Sequence, residues 1–227
     1  NITQIIPPQP FVEDLLWEGN LDAKLNIERD DDKVDDWRLK LDTTLSHGRW
    51  RHKFDGSQRH ETKNGNKIKD EWEASYDQDY FLTDQWFLRG SVGTDRDQFD
   101  TVERQDAVGF GPGYSFWNNA LGHFELIGQL DHYELQTEDD VYRFEASSMQ
   151  WDYKRLLWGT RFEFVSTGEF AAPHVDSIDY VLDSEIGLRY RINEWARVSL
   201  LYELNQVRGA SQTSSDRDYT LGVGVGW

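Results

Sequence analysis

The chain has 227 residues, and its 42 acidic and 24 basic residues give a formal net charge of −18. This charge argues against a nucleic-acid partner, because phosphate binding requires a basic surface. The absence of cysteine excludes disulfides and thiolate metal sites. No run of residues approaches the ~20 apolar residues that a membrane helix needs, but a membrane β-barrel stays compatible because only its alternate residues contact lipid.

The chain opens with a segment that does not alternate between apolar and polar residues. Pro7, Pro8 and Pro10 argue against a strand or a helix there, because proline lacks the backbone donor that both elements use. We therefore predict that residues 1–16 form a leader separate from the folded body of the chain.

From Trp17 onwards, large apolar residues occupy nearly every second position. In the first such stretch Trp17, Leu21 and Leu25 share one face, and Asn20 and Asp22 lie on the other. Successive side chains of a strand point to opposite faces, so this pattern predicts strands with a lipid face and a polar interior face. The pattern recurs along the chain and predicts about twelve strands, with ten or fourteen allowed, at ~10 residues per crossing.

These strands predict an all-β fold in which residues 17–227 form a transmembrane antiparallel up-and-down β-barrel. An even strand number places both termini on the periplasmic side. There the leader either stays in the periplasm or plugs the barrel. Acidic segments such as residues 30–36 and 95–104 predict long external loops, and residues 47–49 predict a tight periplasmic turn. We expect a bacterial outer-membrane location with the signal peptide already removed. A soluble β-sandwich is the competing fold.

Two predicted strands depart from the simple pattern. The sixth carries three alternate glycines from Gly109 to Gly113 on its interior face, so we expect a bulky group to pack against that thin wall. The eighth changes phase between Ala146 and Met149. This change predicts either a β-bulge near Ser147 or an apolar patch inside the barrel.

The last predicted strand ends on an aromatic residue, which suits a strand that stops at a lipid–water boundary. Its pattern resembles the C-terminal signal by which bacterial barrel proteins are handed to their assembly machinery. The residues that carry this signal are Tyr219, Gly222, Val225 and Trp227. The same strand must pair with the first one to close the barrel.

Three short motifs accompany this last strand: Gly109–Tyr114 (Gly-Phe-Gly-Pro-Gly-Tyr), Tyr80–Leu82, and Asp216–Tyr219. With them, the chain from about residue 17 to its end resembles the salt-induced outer-membrane protein family, a bacterial β-barrel domain of unknown function. The resemblance implies a Gram-negative outer-membrane barrel and a link to osmotic or ionic stress. It offers no catalytic residues to transfer.

Charged residues of both signs occupy the predicted interior face. The candidates for lining the lumen are Lys24, Arg38, Lys40, Arg51, Arg89, Arg161, Arg189, Arg191, Glu71, Glu73, Glu125, Asp183 and Glu185. Such residues predict either a conduit whose charges select ions or small solutes, or an interior that salt bridges fill. The mixture of signs favours the second interpretation over strong selectivity, and a small, weakly selective pore stays open.

The leading functional hypothesis is a small-solute or ion channel linked to salt or osmotic adaptation. The alternative is a closed structural or partner-binding barrel of the envelope. We predict no enzyme activity and no cofactor, and we assign no catalytic, cofactor-binding or metal residue. The expected partners are outer-membrane lipid, lipopolysaccharide, the barrel-assembly machinery, divalent cations at acidic loops, and a periplasmic or envelope protein.

A lipid or lipopolysaccharide hydrolase is a more distant alternative, because it needs a Ser–His pair on a lipid-accessible face. In the predicted hairpin His132 and Ser148 lie too far apart for a hydrogen bond. His174 is followed by Asp176 and Ser177, a neighbourhood common in any loop. Residues 30–36 lack the glycine and glutamate spacing of an EF-hand, so their charges predict a solvated turn rather than a Ca²⁺ site.

Overall fold

A computed structural model describes residues 15–29, 33–99, 102–159, 161–176, 178–193, 195–209 and 213–226. Residues 1–14 of the predicted leader, residues 30–32 of the predicted acidic loop, and Trp227 of the predicted assembly signal lie outside this range. No helix in the described part of the chain is long and apolar enough to cross a membrane.

Twelve antiparallel strands form a closed barrel in which each strand lies beside its neighbours in sequence, and the last lies beside the first. The strands are β1 (Leu16–Arg29), β2 (Lys33–His47), β3 (Trp50–Lys63), β4 (Asn66–Phe81), β5 (Trp86–Asp97), β6 (Val102–Asn119), β7 (Gly122–Thr137), β8 (Val141–Leu157), β9 (Phe162–Pro173), β10 (Ile178–Arg191), β11 (Ala196–Gly209) and β12 (Thr213–Gly226). The predicted twelve-stranded up-and-down barrel is therefore confirmed. We call the end where β1 begins and β12 ends the terminal end, and the opposite end the far end.

The connections between strands are short at both ends of the barrel, so the predicted long acidic loops are wrong. Two residues separate β2 from β3, and four separate β5 from β6. The acidic segments instead extend the strands, since Asp35 and Asp36 pair with β1 and β3, and Asp95 pairs with β4 and β6. These segments can remain in strands because their acidic side chains are solvated while their backbone continues to hydrogen-bond to the neighbouring strands.

The outer wall carries two bands of aromatic side chains. Near the terminal end the rings contact one another across adjacent strands, with centroid distances of 4.7 Å for Trp50–Tyr80, 4.9 Å for Trp86–Tyr114, 4.9 Å for Phe116–Phe124 and 5.0 Å for Phe162–Tyr190. Towards the far end the pairs are Tyr202–Tyr219 at 5.0 Å and Phe170–Tyr180 at 5.4 Å. Aromatic side chains at two levels of a barrel wall are typical of the two membrane interfaces.

The two irregular strands behave as their side chains dictate. A Cβ added at Gly113 of β6 would lie 2.3 Å from the ring of Phe87, so the glycine makes room for this fully buried ring. In β8 the pairing with β7 continues without a register shift. Ala146 is buried inside, whereas Met149 is half exposed outside. The predicted apolar patch inside the barrel is therefore confirmed, and the predicted bulge is wrong.

Candidate functional site: the charged lumen

A cluster of five side chains fills the lumen near the terminal end, and we call it the Arg51 cluster: Arg51, Asp79, Phe87, Arg89 and Glu125. The guanidinium of Arg51 donates through Nη1 and Nη2 to the two oxygens of Glu125 at 2.8 and 2.7 Å. Its Nε donates to Asp79 at 2.8 Å. Arg89 approaches the same carboxylate from β5 and donates through Nε and Nη2 at 2.7 and 2.9 Å.

This cluster excludes water. Asp79, Phe87 and Glu125 are 0% exposed, and Arg89 is 3% exposed. The Arg51 guanidinium lies 5.1 Å from the centre of the Phe87 ring, which adds a cation–π contact to its ion pairs. Buried charges are tolerated only when they are paired and hydrogen-bonded, and here each carboxylate receives a bidentate arginine.

The Arg51 cluster also joins distant parts of the wall. Arg51 belongs to β3 and Glu125 to β7, which are four strands apart around the barrel. Lys53, the next interior residue of β3, reaches further and contacts Asp152 of β8 at 2.7 Å, five strands away. His123 contacts the same carboxylate at 2.8 Å. Because six strands would be directly opposite, these pairs cross almost the whole lumen.

The remaining side of the terminal end is closed in the same way. Glu163 of β9 lies 3.3 Å from Arg189 and 3.5 Å from Lys154. Arg197 donates to the amide oxygen of Asn20. Each of these contacts joins interior side chains of different strands. The narrow part of the lumen is therefore a layer of charged residues next to the terminal end.

Further from the terminal end, two cations of β2 reach across the lumen to acids of β10 and β11. Lys40 pairs with Glu185, four strands away. Arg38 donates to Glu203 at 2.5 Å, and Lys40 lies 3.8 Å from the same glutamate. The acids on the opposite side of the lumen, formed by β4 to β9, make no such ion pairs at this level, and the nearest basic residue that acts on them is Lys69 of β4, which attracts Asp95 electrostatically.

That opposite side carries a group of carboxylates that we call the vestibule acids: Glu73, Asp95, Asp131, Glu169 and Asp183. In the described part of the chain none of them has a basic side chain within 4.0 Å. Asp183 and Glu73 face each other across six strands and repel electrostatically. Glu169 is repelled in the same way by Asp131 and Asp183. Glu73 and Asp183 are exposed, so this part of the lumen is open to water.

Most predicted lumen residues lie on the interior face and meet in two layers. Arg51, Arg89 and Glu125 meet in the Arg51 cluster, while Arg189 and Arg191 lie nearby on β10. Arg38, Lys40 and Glu185 meet in the second layer, and Glu71 lies 3.0 Å from Lys69. The exception is Arg161, which is exposed in the connection between β8 and β9. It was expected on a strand, but β9 begins only at Phe162.

Two members of the Arg51 cluster are missing from the sequence-based candidates. Asp79 shares the interior phase of Asp77, so its position two residues further along β4 was a usable signal. Phe87 gave no such signal, because an apolar residue on the polar face looks like an exception to the pattern. Its role follows only from the packing against Gly113 and Arg51.

Of the Ser–His combinations considered for a hydrolase, Ser148 and His132 lie on opposite faces of the barrel wall. Ser148 faces the lumen and donates to Asp131 at 2.5 Å, whereas His132 faces outwards opposite Glu145. His174 instead contacts a different serine, Ser147, at 3.0 Å on the exposed outer wall. Ser177 lies outside the described residues.

The predicted acidic turn is only partly described. Asp36 is buried in β2 and lies 3.5 Å from Arg59, which makes it part of the interior ion pairs. Within the described residues, no group of three or more His, Asp or Glu side chains is arranged to hold a metal ion.

The geometry is that of a closed barrel with a lipid-facing wall and a charged interior. A family profile described as a protein of unknown function, DUF481, matches residues 23–227. The chain belongs to the DUF481 family. This membership agrees with the barrel family of unknown function that the motifs predict, and the link to salt stays a prediction. None of the curated proteins matches the sequence.

The DUF481 barrel resembles solved outer-membrane structures. A NanC porin matches with a TM-score of 0.55 at 14% identity, covering 92% of this chain and 98% of the porin. The translocator domain of the autotransporter NalP from Neisseria meningitidis matches with a TM-score of 0.48 at 12% identity, covering 94% and 88%. A KdgM porin matches with a TM-score of 0.48 at 9% identity, covering 92% and 98%. At such low identity the NanC likeness establishes the fold alone, a porin-like outer-membrane barrel.

Proposed function

We propose that this DUF481 protein is a narrow conduit for small cations across the bacterial outer membrane. The observation that carries the proposal is the set of vestibule acids, of which Glu73 and Asp183 are exposed and none has a basic side chain within 4.0 Å among the described residues. Carboxylates held close together attract cations, because each cation that enters relieves their mutual repulsion. The vestibule acids would therefore concentrate cations in the lumen above the Arg51 cluster.

The Arg51 cluster supplies the narrowest level of this conduit. Its side chains cross the lumen and are fully paired, so an ion passes this level only when one of these pairs opens. Ion pairs weaken as salt screens them, although buried pairs are screened less than exposed ones. A conductance that rises with ionic strength would give the predicted link to salt adaptation a physical basis.

Planar bilayers with purified protein and a KCl gradient test the proposal. We expect a reversal potential that indicates cation preference. Asp183→Asn is expected to reduce the K⁺ to Cl⁻ permeability ratio severalfold, because it removes one carboxylate that repels Glu73. Glu134→Gln is the matched control, since Glu134 lies on the outer wall and pairs there with Arg143. An anion preference, or equal effects of the two variants, would contradict the proposal.

A closed structural barrel is the second candidate, and the zero exposure of Asp79, Phe87 and Glu125 favours it. Arg51→Ala separates the two candidates in the same bilayers. If the unmodified barrel is silent and the variant conducts, the Arg51 cluster acts as a closure of a conduit. If both are silent at all salt concentrations, the barrel is structural.

The proposed arrangement places the terminal end, and with it the leader, in the periplasm. Asp139 lies in the far-end connection between β7 and β8, and Asp84 lies in the terminal-end connection between β4 and β5. Because the chain has no cysteine, Asp139→Cys and Asp84→Cys each create a unique label site. We expect a membrane-impermeant maleimide to label only the first on intact cells. Labelling of the second alone would reverse the orientation.

A further inference from the structure

An open groove with a volume of about 580 Å³ lies on the outer wall near the far end of the barrel. Five of the residues that line it form one row across β3 to β7, in which each residue is directly opposite the next: Gln58, Trp72, Arg96, Arg104 and Gln136. We call these five residues the outer row. At a strand spacing of ~4.8 Å the row is ~19 Å long, and the volume of the groove lies within the range of ligand-binding clefts.

The outer row lies just beyond the part of the wall that faces lipid. Arg96 of β5 follows Asp95, a vestibule acid that faces the lumen, so Arg96 points outwards. On the same outer face of β5, Val92 is apolar and 49% exposed, and the next outward residue towards the far end is the polar Thr94. An outer face that changes from apolar to polar marks the lipid boundary. The outer row is therefore level with the polar region next to the lipid.

The two arginines of the outer row lack acceptors. Arg96 and Arg104 are directly opposite each other, and like charges in that position repel. Arg96 has no carboxylate within 4.0 Å among the described residues, although Asp106 attracts it from further away. Arg104 lies 2.6 Å from Asp106 through Nη2, but its Nε is buried and has no hydrogen-bond partner in the described structure. A buried donor without a partner indicates a missing acceptor.

The charges of the groove are balanced, so it is not a general site for anions. Asp70 and Glu103 also line it and equal the two arginines in number. Asp70 is itself held by Lys67 at 2.7 Å and by His60 at 3.4 Å. A phosphate in this groove would meet repulsion as well as attraction. The lining instead suits a neutral ligand whose groups both donate and accept hydrogen bonds, as hydroxyl groups do.

Sugar rings have this chemistry, because each carries several hydroxyl groups on a compact ring. The lining contains three carboxamides, two guanidinium groups and two carboxylates, all planar groups with paired polar atoms that adjacent hydroxyls can match. Trp72 is the one aromatic residue among the described lining residues, and it is 39% exposed. The C–H face of a sugar ring packs favourably on the electron-rich face of an aromatic ring. The guanidinium of Arg96 lies 5.3 Å from the centre of the Trp72 ring, which places a donor beside this platform.

We propose that the outer row binds the sugar rings of the lipopolysaccharide core. One ring packs on Trp72, while Arg96 and the Nε of Arg104 donate to sugar oxygens. Gln58 and Gln136, at the two ends of the row, bind the hydroxyls of neighbouring rings. The core sugars continue outwards from the lipid part of lipopolysaccharide, so they begin at the level that the outer row occupies. The site goes beyond the proposed conduit and takes from it only the orientation that places the far end outside the cell.

Native mass spectrometry of the full chain in detergent tests the site with three ligands in equal amounts: lipopolysaccharide with a complete core, lipid A without a core, and phosphatidylglycerol. We expect one molecule with a complete core to be retained in preference to the other two. Arg96→Ala should lower that retention about tenfold, the factor that corresponds to losing one hydrogen bond from a charged group. Arg143→Ala is the matched control, since Arg143 lies on the outer wall of β8 and pairs there with Glu134. Equal retention with and without the core, or equal effects of the two variants, overturns the proposal.

The aromatic platform has its own variants. Trp72→Ala should lower the retention of lipopolysaccharide with a complete core, and Trp72→Tyr should preserve most of it. Trp86→Ala is the control, because Trp86 is an outward tryptophan at the terminal end and is 51% exposed. Unheated electrophoresis verifies that each variant is a folded barrel. Retention that is unchanged in Trp72→Ala, or lowered as much in Trp86→Ala, overturns the proposal.

A spin label locates the bound sugars, and the absence of native cysteine makes each label unique. Asp139→Cys places the label in the far-end connection that follows Gln136, and Asp84→Cys places it at the terminal end. We expect the first label to broaden the proton resonances of the core sugars in detergent micelles and the second to leave them sharp. Broadening by the second label, or by neither, overturns the proposal.

These measurements do not depend on conductance, so a barrel that is silent in bilayers contradicts the conduit and leaves the sugar site standing. The orientation is tested separately by the maleimide labelling of intact cells. If the maleimide reaches Asp84→Cys alone, the groove faces the periplasm, and the proposal that it binds lipopolysaccharide is overturned.

Discussion

Removing the Arg51 guanidinium tests whether the charged interior holds the barrel together. Arg51→Ala leaves Glu125 fully buried and takes away both of its charge-assisted hydrogen bonds, at 2.8 and 2.7 Å. Asp79 is less affected, because Arg89 still holds it. Removing one partner of a buried ion pair typically costs ~3–5 kcal/mol. We expect a loss of about this size in the free energy of unfolding.

The double variant Arg51→Met, Glu125→Leu separates the cost of an unpaired charge from the value of the pair. It removes both charges and refills the space with apolar atoms, which is often neutral or stabilising by ~1–4 kcal/mol relative to a buried pair. We therefore expect the double variant to recover most of the loss seen in Arg51→Ala. Arg143→Ala is the exposed control, and its pair with Glu134 should contribute about 0.2–1 kcal/mol.

Urea unfolding of protein in lipid vesicles measures these differences, and the ten tryptophans provide the fluorescence signal. Two results would refute the reasoning. One is a loss for Arg51→Ala no larger than that of the exposed Arg143→Ala control. The other is a double variant as unstable as the single one, because then the unpaired charge of Glu125 is not the source of the cost.

Two further variants test the wall of the barrel. Gly113→Ala places a Cβ 2.3 Å from the Phe87 ring and should lower the free energy of unfolding by ~1–3 kcal/mol, as overpacking does. Its control is Gly128→Ala, where a Cβ meets nothing within 4 Å. Equal urea midpoints for the two variants would contradict the packing of Gly113 against Phe87. Leu130→Arg puts a charge on the lipid face of β7, where the side chain is 68% exposed, and should cost ~2–4 kcal/mol near the bilayer midplane. Gln136→Arg, closer to the far end of the same strand, should change the unfolding midpoint in vesicles little. A larger effect than that of Leu130→Arg would show that the lipid boundary lies further towards the far end than we infer.

The lipid-facing wall could be predicted from the sequence almost residue by residue. The alternation of Trp17, Leu21 and Leu25 with Asn20 and Asp22 sets the phase of β1, because each side chain of a membrane strand must face lipid or lumen. The strand ends were harder to predict. Residues 33–36, which include Asp35 and Asp36, look like part of a loop in the sequence. A strand that leaves the membrane nevertheless keeps its hydrogen bonds and needs no apolar residues in water.

The interior pairs could not be predicted in the same way. Arg51 and Glu125 are 74 residues apart, and any of several interior acids was an equally good partner by sequence. Which ones meet depends on how far each strand is staggered against the next. Phe87 shows the same limit, since its burial depends on the space that Gly113 leaves on the neighbouring strand.

The sequence by itself predicted about twelve strands and determined the face that most of them turn to the lipid. An alternating strand has only two possible phases, and only the one with its apolar residues outwards suits a lipid surface. The structure fixed the number of strands at twelve. Only the tertiary structure decided how the barrel closes. Gly222 and Gly224 of the last strand mark a thin wall in the sequence, but the pairing of β12 with β1 over four positions follows from the accumulated stagger of twelve strands. That stagger also determines which charges cross the lumen.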